Sequence, residues 1–186
     1  MNQYKNASSG LKMMFYSEIV AIACSVLFII PILGTIIGVY GMLACQIISA
    51  IGLFMLAKDI DGCKLAFVLN IIGIVMSFAN GFSGLYVLFG IIGYVISFLT
   101  VFFTCRPLSN ALEGFGALNI ADKGNLVWKI SLICYAILIV VKVLSIIPII
   151  NIFAAVIGGL TGLVQLIANI IYFIYIYQSY KFFETY

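Results

Sequence analysis

The chain of 186 residues is 65% hydrophobic and 8% charged, with a mean hydropathy of +1.28 and a formal net charge of +3. A soluble domain carries roughly 25% charged residues, so this chain has no polar surface to cover a core in water, and its solvent is the bilayer. The absence of histidine excludes an imidazole general base and a histidine-containing metal site.

Three apolar tracts, Met13 to Ala57, Leu65 to Cys105 and Leu126 to Tyr177, carry almost all of that hydrophobicity. Each is about twice the ~20 residues that cross a bilayer as a helix, so each reads as a helical hairpin. The expected fold is an all-α polytopic membrane protein of six spans in three hairpins, 13–57, 65–105 and 126–180. The segments 1–12, 58–64, 106–125 and 181–186 are expected outside the hydrocarbon.

Residues 1–12 carry Lys5 and Lys12 and show no short apolar core followed by a small-residue cleavage site, so no removable signal peptide is expected. The first span runs from about Met13 to Ile30. Pro31 and Gly34 break it, the proline by removing a backbone donor and the glycine by permitting turn dihedrals. The second span covers roughly Gly38 to Ala57, and a short charged connection from Lys58 to Lys64 follows. The third span, about Leu65 to Phe78, ends in the turn signal from Asn80 to Gly84, and the fourth runs from Leu85 to Cys105.

The polar stretch from Arg106 to Asn125 is the longest connection. Leu108, Leu112, Phe115 and Leu118 are spaced by four and three, which fits one apolar stripe of a short helix on the membrane surface. Gly114 and Gly116 weaken that reading and leave a plain loop as the alternative. The fifth span is about Leu126 to Ile147. Pro148 and Asn151 make the last turn, and the sixth span starts near Phe153 and ends among Tyr172, Tyr175, Tyr177 and Tyr180, as expected where amphipathic rings settle at an interface.

The first and third hairpins read as copies. At an offset of 117 residues, Val26 to Leu43 falls on Val143 to Leu160, with Pro31 on Pro148 and Gly41 on Gly158. Lys12 and Lys64 also fall on Lys129 and Lys181, so the duplication is a direct repeat. Eight of the nine basic residues lie on one side of the six-span drawing, and the three opposite turns carry no charge. That asymmetry places both termini in the cytoplasm of a cell-membrane protein. It attracts anionic lipid and leaves no clustered basic surface for nucleic acid.

The ninth basic residue, Lys142, lies inside the fifth span, where an ionisable group costs roughly 2.5–3.5 kcal/mol near the bilayer centre. Either it snorkels about 9 Å to the outer interface, or it faces the bundle interior to bind an anion or a carboxylate. Glu18 is the one acid within a span. The repeat matches Lys142 with Ser25, roughly 10 Å from the level of Glu18, so the two share a water-lined path at most, and Glu18 otherwise reaches the cytoplasmic interface.

Gly158, Gly162, Gln165 and Asn169 share one face of the sixth span, and the repeat puts Gly41, Cys45, Ile48 and Gly52 at the same places. Small residues let helices approach closely, so Gly34, Gly38, Gly41, Gly158 and Gly162 are expected in helix packing. Alternatively Gln165 and Asn169, with Gln46 and Asn70, line a midplane polar site.

Five cysteines form no C-x-x-C pair. Cys24, Cys45 and Cys134 read as small hydrophobes, while Cys63 and Cys105 at span ends are open to acylation. The pair Asp59 and Asp61 is a candidate metal motif, because aspartates facing the cytoplasm can hold a divalent ion on a diphosphate. Asp61-Gly62 resembles the start of the signature of six-span CDP-alcohol phosphotransferases. The departures are decisive: the first aspartate of that family falls on Lys58, no Ala-Arg follows, and no later aspartate pair exists. A solvated turn balanced by Lys58 and Lys64 is the better reading. No Walker loop, nucleophile elbow or acidic cluster is present, and neither enzymatic activity nor a cofactor is expected.

Across residues 26 to 59 the runs IIPILG, IIG and IGLFMLAKD resemble the repeated hairpins of small multi-pass bacterial and archaeal membrane families of unassigned function. The resemblance implies six spans and transfers no site residue. Two functions fit: a non-enzymatic subunit of a membrane assembly or homo-oligomer, or a small-solute transporter or channel. Their partners would be lipids and other membrane subunits in the first case and a small-molecule ligand in the second.

Overall fold

In a computed structural model the protein is described over residues 4–27, 33–79, 86–147 and 151–185, with the backbone alone at 25–27, 33–39, 77–79, 86 and 151. Among the described residues the structure is helical and contains no strand. The helices are α1 (Lys5–Leu27), α2 (Leu33–Asp59), α3 (Lys64–Ala79), α4 (Tyr86–Gly114), α5 (Leu118–Leu144) and α6 (Asn151–Thr185), with one 3-10 turn, Asp61–Cys63, before α3. Four of them, α2, α4, α5 and α6, are long and apolar enough to cross a membrane. The chain is thus a helical membrane protein. α1 begins with the polar run from Lys5 to Lys12, and α3 has 16 residues, about 24 Å at the α-helical rise.

The principal packing joins each helix to its neighbours in sequence, and α6 closes on α1, so the six helices form a ring. The junction of α2 with α3 is the thinnest. Successive helices run antiparallel. In α1 and α2 the backbones touch where glycines face each other: a Cβ on Gly52 would lie 2.7 Å from the Gly10 oxygen, and one on Gly10 would lie 2.8 Å from the Leu56 nitrogen. The absence of two side chains permits this approach.

The core lies at the end of the ring that carries the termini. Leu11, Leu56, Cys63, Leu108, Leu112, Val127, Ile176 and Phe183 are buried there in one cluster drawn from every helix. Tyr4 seals it, its ring 5.1 Å from Phe115 edge-on and 5.4 Å from Phe183. A buried hydrogen-bond network ties α4, α5 and α6: the Tyr175 hydroxyl donates to the Cys105 carbonyl (3.2 Å) and lies 3.0 Å from Ser109 Oγ, which donates to the Ala121 carbonyl (3.1 Å).

The stretch from Arg106 to Asn125 is neither a surface helix nor a loop. α4 continues through Pro107 to Gly114 and α5 starts at Leu118, so the break is Phe115–Ala117, with Gly116 at φ 78°. The stripe of Leu108 and Leu112 is real, but it packs on the core cluster, and Phe115 joins its edge while Leu118 is exposed. Gly34 falls within α2, and Asn151 begins α6. The expected turns at Pro31, Gly81 and Pro148 lie outside the described residues.

Cys63 and Cys105, read from the sequence as open to acylation, are fully buried against α4 and its neighbours. Burial pushes the Cys63 thiol up to about 12, so almost no thiolate exists at neutral pH. Both cysteines are expected to resist a maleimide at pH 7.5 in the folded protein and to react once it is unfolded. Labelling of either one in the native state, read by peptide mass, would show that the packing at this end is wrong.

Candidate functional site: polar cavities inside the ring

Above the core cluster the ring does not fill its interior. The largest cavity, about 600 Å³, is lined by Gln46 and Asn70 from α2 and α3, by Tyr94, Ser97 and Thr100 from α4, and by Tyr135 and Lys142 from α5. A second, of about 250 Å³, lies against Glu18, Ser49, Asn70, Thr104, Ser131 and Asn169. A third, of about 170 Å³, is bounded by Ser17, Glu18, Gln46, Ser49 and Asn70. Asn70 lines all three, and Gln46 joins the largest to the third, so the cavities meet around these two amides.

Hydroxyls can line such a space because helices absorb their donors. Thr100 Oγ1 donates to the Ile96 carbonyl at 2.9 Å, Thr104 Oγ1 to the Thr100 carbonyl at 2.7 Å, and Ser17 Oγ to the Met14 carbonyl at 2.7 Å. That local bond lets a hydroxyl sit in an apolar helix while its lone pairs remain available. Ser97 of α4 and Tyr135 of α5 both line the largest cavity. Asn70 Oδ1 is different: it is buried and has no hydrogen-bond partner.

Lys142 packs against the neighbouring helix α4. Its side chain lies along α4 at Gly90, where an added Cβ would sit 2.9 Å from Lys142 Cε and 3.6 Å from its Nζ. The lysine therefore lines the largest cavity, and also a smaller one of about 190 Å³ with Tyr94 and Ser145. Glu18 lines the two inner cavities and none that Lys142 lines.

Of the residues expected at a polar site, Lys142, Gln46, Asn70, Glu18 and Asn169 are brought together around connected cavities. Gln165 lines none of them, and its Nε2 donates to Asn169 Oδ1 at 3.2 Å one helical turn away. Of the expected packing glycines, Gly41 lies against Cys24, and a Cβ on Gly158 would lie 3.3 Å from Val141 Cγ1. Gly162 faces open space, because a Cβ there would meet nothing within 4 Å. Gly34 and Gly38 belong to the stretch of α2 whose surroundings lie outside the described residues.

Sequence reading missed the α4 and α5 walls. Gly90, Tyr94, Ser97, Thr100 and Thr104 are spaced by four, three, three and four, and Ser131, Tyr135 and Lys142 by four and seven. Either series is a helical face of small and polar residues, and tracing that period in the fourth and fifth spans would have found it.

Asp59 and Asp61 do not converge. Asp61 pairs with Lys64 at 2.6 Å, and that hydrogen bond holds its carboxyl below the usual range. Asp59 turns back to α1, where it accepts from the Ala7 backbone N–H at 2.7 Å and from Asn6 Nδ2 at 3.0 Å. A carboxylate at a helix N-terminus satisfies orphan donors and favours the macrodipole, so Asp59 is a clasp between α2 and α1 rather than a freely solvated residue. Among the described residues no three His, Cys, Asp or Glu side chains gather in a way that could hold a metal.

No protein-family model, curated protein or solved structure matches the chain.

Proposed function

We propose that the chain is a non-enzymatic, six-span protein of the cell membrane that binds a small polar solute in its central cavities and passes it across the bilayer. The observation that carries this reading is the cavity of about 600 Å³ with Lys142 laid along its wall. A lysine inside an apolar bundle is costly, and polar groups within membrane helices cluster where a water-filled substrate path needs them. Sites of this kind sit near the midplane between repeated helical units. The buried cluster at one end and the polar space above it suit a vestibule closed toward the termini.

The repeat belongs to the proposal. Gly41 lies against Cys24 between α1 and α2, and Gly158 lies against Val141 between α5 and α6. Both partners of the second contact are 117 residues beyond those of the first, which supports one hairpin architecture written twice. The charge asymmetry supports cytoplasmic termini.

In proteoliposomes followed by light scattering, the wild type is expected to speed entry of at least one of glycerol, urea or glycine above the rate of empty vesicles. Asn70→Leu with Lys142→Met should return it to the empty-vesicle rate while the protein still elutes as a single species. No acceleration for any solute, or full activity in the double variant, would sink the reading.

A second reading, a subunit of a membrane assembly or a homo-oligomer, is favoured by α6. Ile152, Phe153, Val156, Leu160 and Leu163 are each at least 60% exposed, and Gly159 and Gly162 face open space beside them. Native mass spectrometry of protein released from its own membrane discriminates: a stoichiometric second chain supports assembly, and a bare monomer opposes it.

A further inference from the structure

We propose that Glu18, Ser49 and Asn70 form a binding site for one small, singly charged cation at the junction of the two inner cavities. These three residues, from α1, α2 and α3, line both the 250 Å³ and the 170 Å³ spaces. No other described residue lines both. The site rests on the transport reading for its role, since a cation held beside a solute path is a coupling ion.

The chemistry follows from what each atom lacks. Among the described residues Glu18 carries the single carboxylate that lines any of these cavities, and the ion pairs there, Lys64 with Asp61 and Lys181 with Glu184, leave it out. Lys142, the cavity's cation, lines neither inner space. Asn70 Oδ1 is a buried acceptor with no donor. An orphaned buried acceptor and a half-buried carboxylate are each unfavourable alone, and one cation between them satisfies both. Ser49 adds a hydroxyl oxygen, so the ligands are all hard oxygens, the set that alkali and alkaline-earth ions prefer.

Charge selects the valence. One carboxylate with neutral oxygens balances one positive charge, whereas tight divalent sites gather several carboxylates, and no such gathering exists among the described residues. A sodium or potassium ion and a primary ammonium group share this chemistry.

The test uses the full chain in detergent, with thermal unfolding followed in sodium, potassium or methylammonium chloride against choline chloride at equal ionic strength. At least one of the three is expected to raise the unfolding midpoint saturably, by roughly 5 °C at a hundredfold excess over its Kd. Glu18→Gln should abolish the rise. Asn70→Asp, which adds a second carboxylate, should bring a response to calcium that the wild type lacks, and this variant decides the matter if Glu18→Gln does not fold. Absence of any cation-specific rise overturns the proposal, as does a rise that survives Glu18→Gln, a folded Asn70→Asp without calcium response, or stabilisation that follows pH alone. Saturable stabilisation without solute flux would keep this site and remove the transport reading. Flux without cation-dependent stabilisation would do the reverse.

Discussion

Gly10→Leu and Gly52→Leu are each expected to prevent α1 from docking on α2 and to abolish recovery of a monodisperse protein. A Cβ at Gly10 would run into the Gly52 carbonyl oxygen and the Leu56 nitrogen, and one at Gly52 would sit 2.7 Å both from the Gly10 oxygen and from Met14 Cγ. Overpacking against side chains costs about 1–3 kcal/mol because rotamers can yield. Backbone oxygens and nitrogens inside helices have no such freedom, so the helices themselves must separate. Separation also pulls Ala7 and Asn6 away from Asp59, which makes the loss larger than the clash alone. Gly162→Leu is the matched control, since a Cβ at that position meets nothing. Gel filtration after detergent extraction reads all three, and a well-behaved Gly10→Leu variant would mean that the helices do not cross where the glycines meet.

Tyr175→Ala is expected to have the next largest effect, a loss of about 3–5 kcal/mol in stability. The residue is fully buried, and its ring lies on Gly124, where a Cβ would be 2.5 Å from Tyr175 Cζ. Its hydroxyl reaches the Cys105 carbonyl and Ser109, so the ring and its polar tip together hold α4, α5 and α6. Tyr175→Phe keeps the ring and removes the bonds, and should cost about 1–3 kcal/mol. The ordering is measurable by thermal unfolding with a thiol dye, because all five cysteines are buried in the folded protein. Equal losses for the two variants would show that the ring contributes nothing beyond its hydroxyl.

Much of the architecture could be read from composition, for a physical reason: with 8% charged residues, satisfying backbone groups in lipid leaves few alternatives to helices. The errors came where helices outrun the bilayer. α4 has 29 residues, about 44 Å, so its last turns carry Arg106, Glu113 and other polar residues on one side while Leu108 and Leu112 pack inward. A hydropathy reading sees the polar residues and ends the helix too early. At the site, Lys142, Glu18, Gln46 and Asn70 stood out because ionisable and amide groups are conspicuous in apolar sequence. Thr100 and Thr104 did not, because a hydroxyl that bonds its own helix is tolerated anywhere in a membrane span. Gln165 lines none of these cavities: its Nε2 donates to Asn169 Oδ1 one turn along α6, and its buried Oε1 has no hydrogen-bond partner.

The closure of α6 on α1 sets an order of events during synthesis. The seam between them is made of Tyr4 against Phe183 and of Phe15 stacked on Phe173, 4.7 Å between centroids. They sit on or beside the first and the last of the described helices, so the face of α1 that they cover must wait for α6. Five helices can pair in sequence while the sixth side of the cavities is still open. The wall that α6 supplies through Asn169 and Tyr172 is therefore added only after the other five helices have been made.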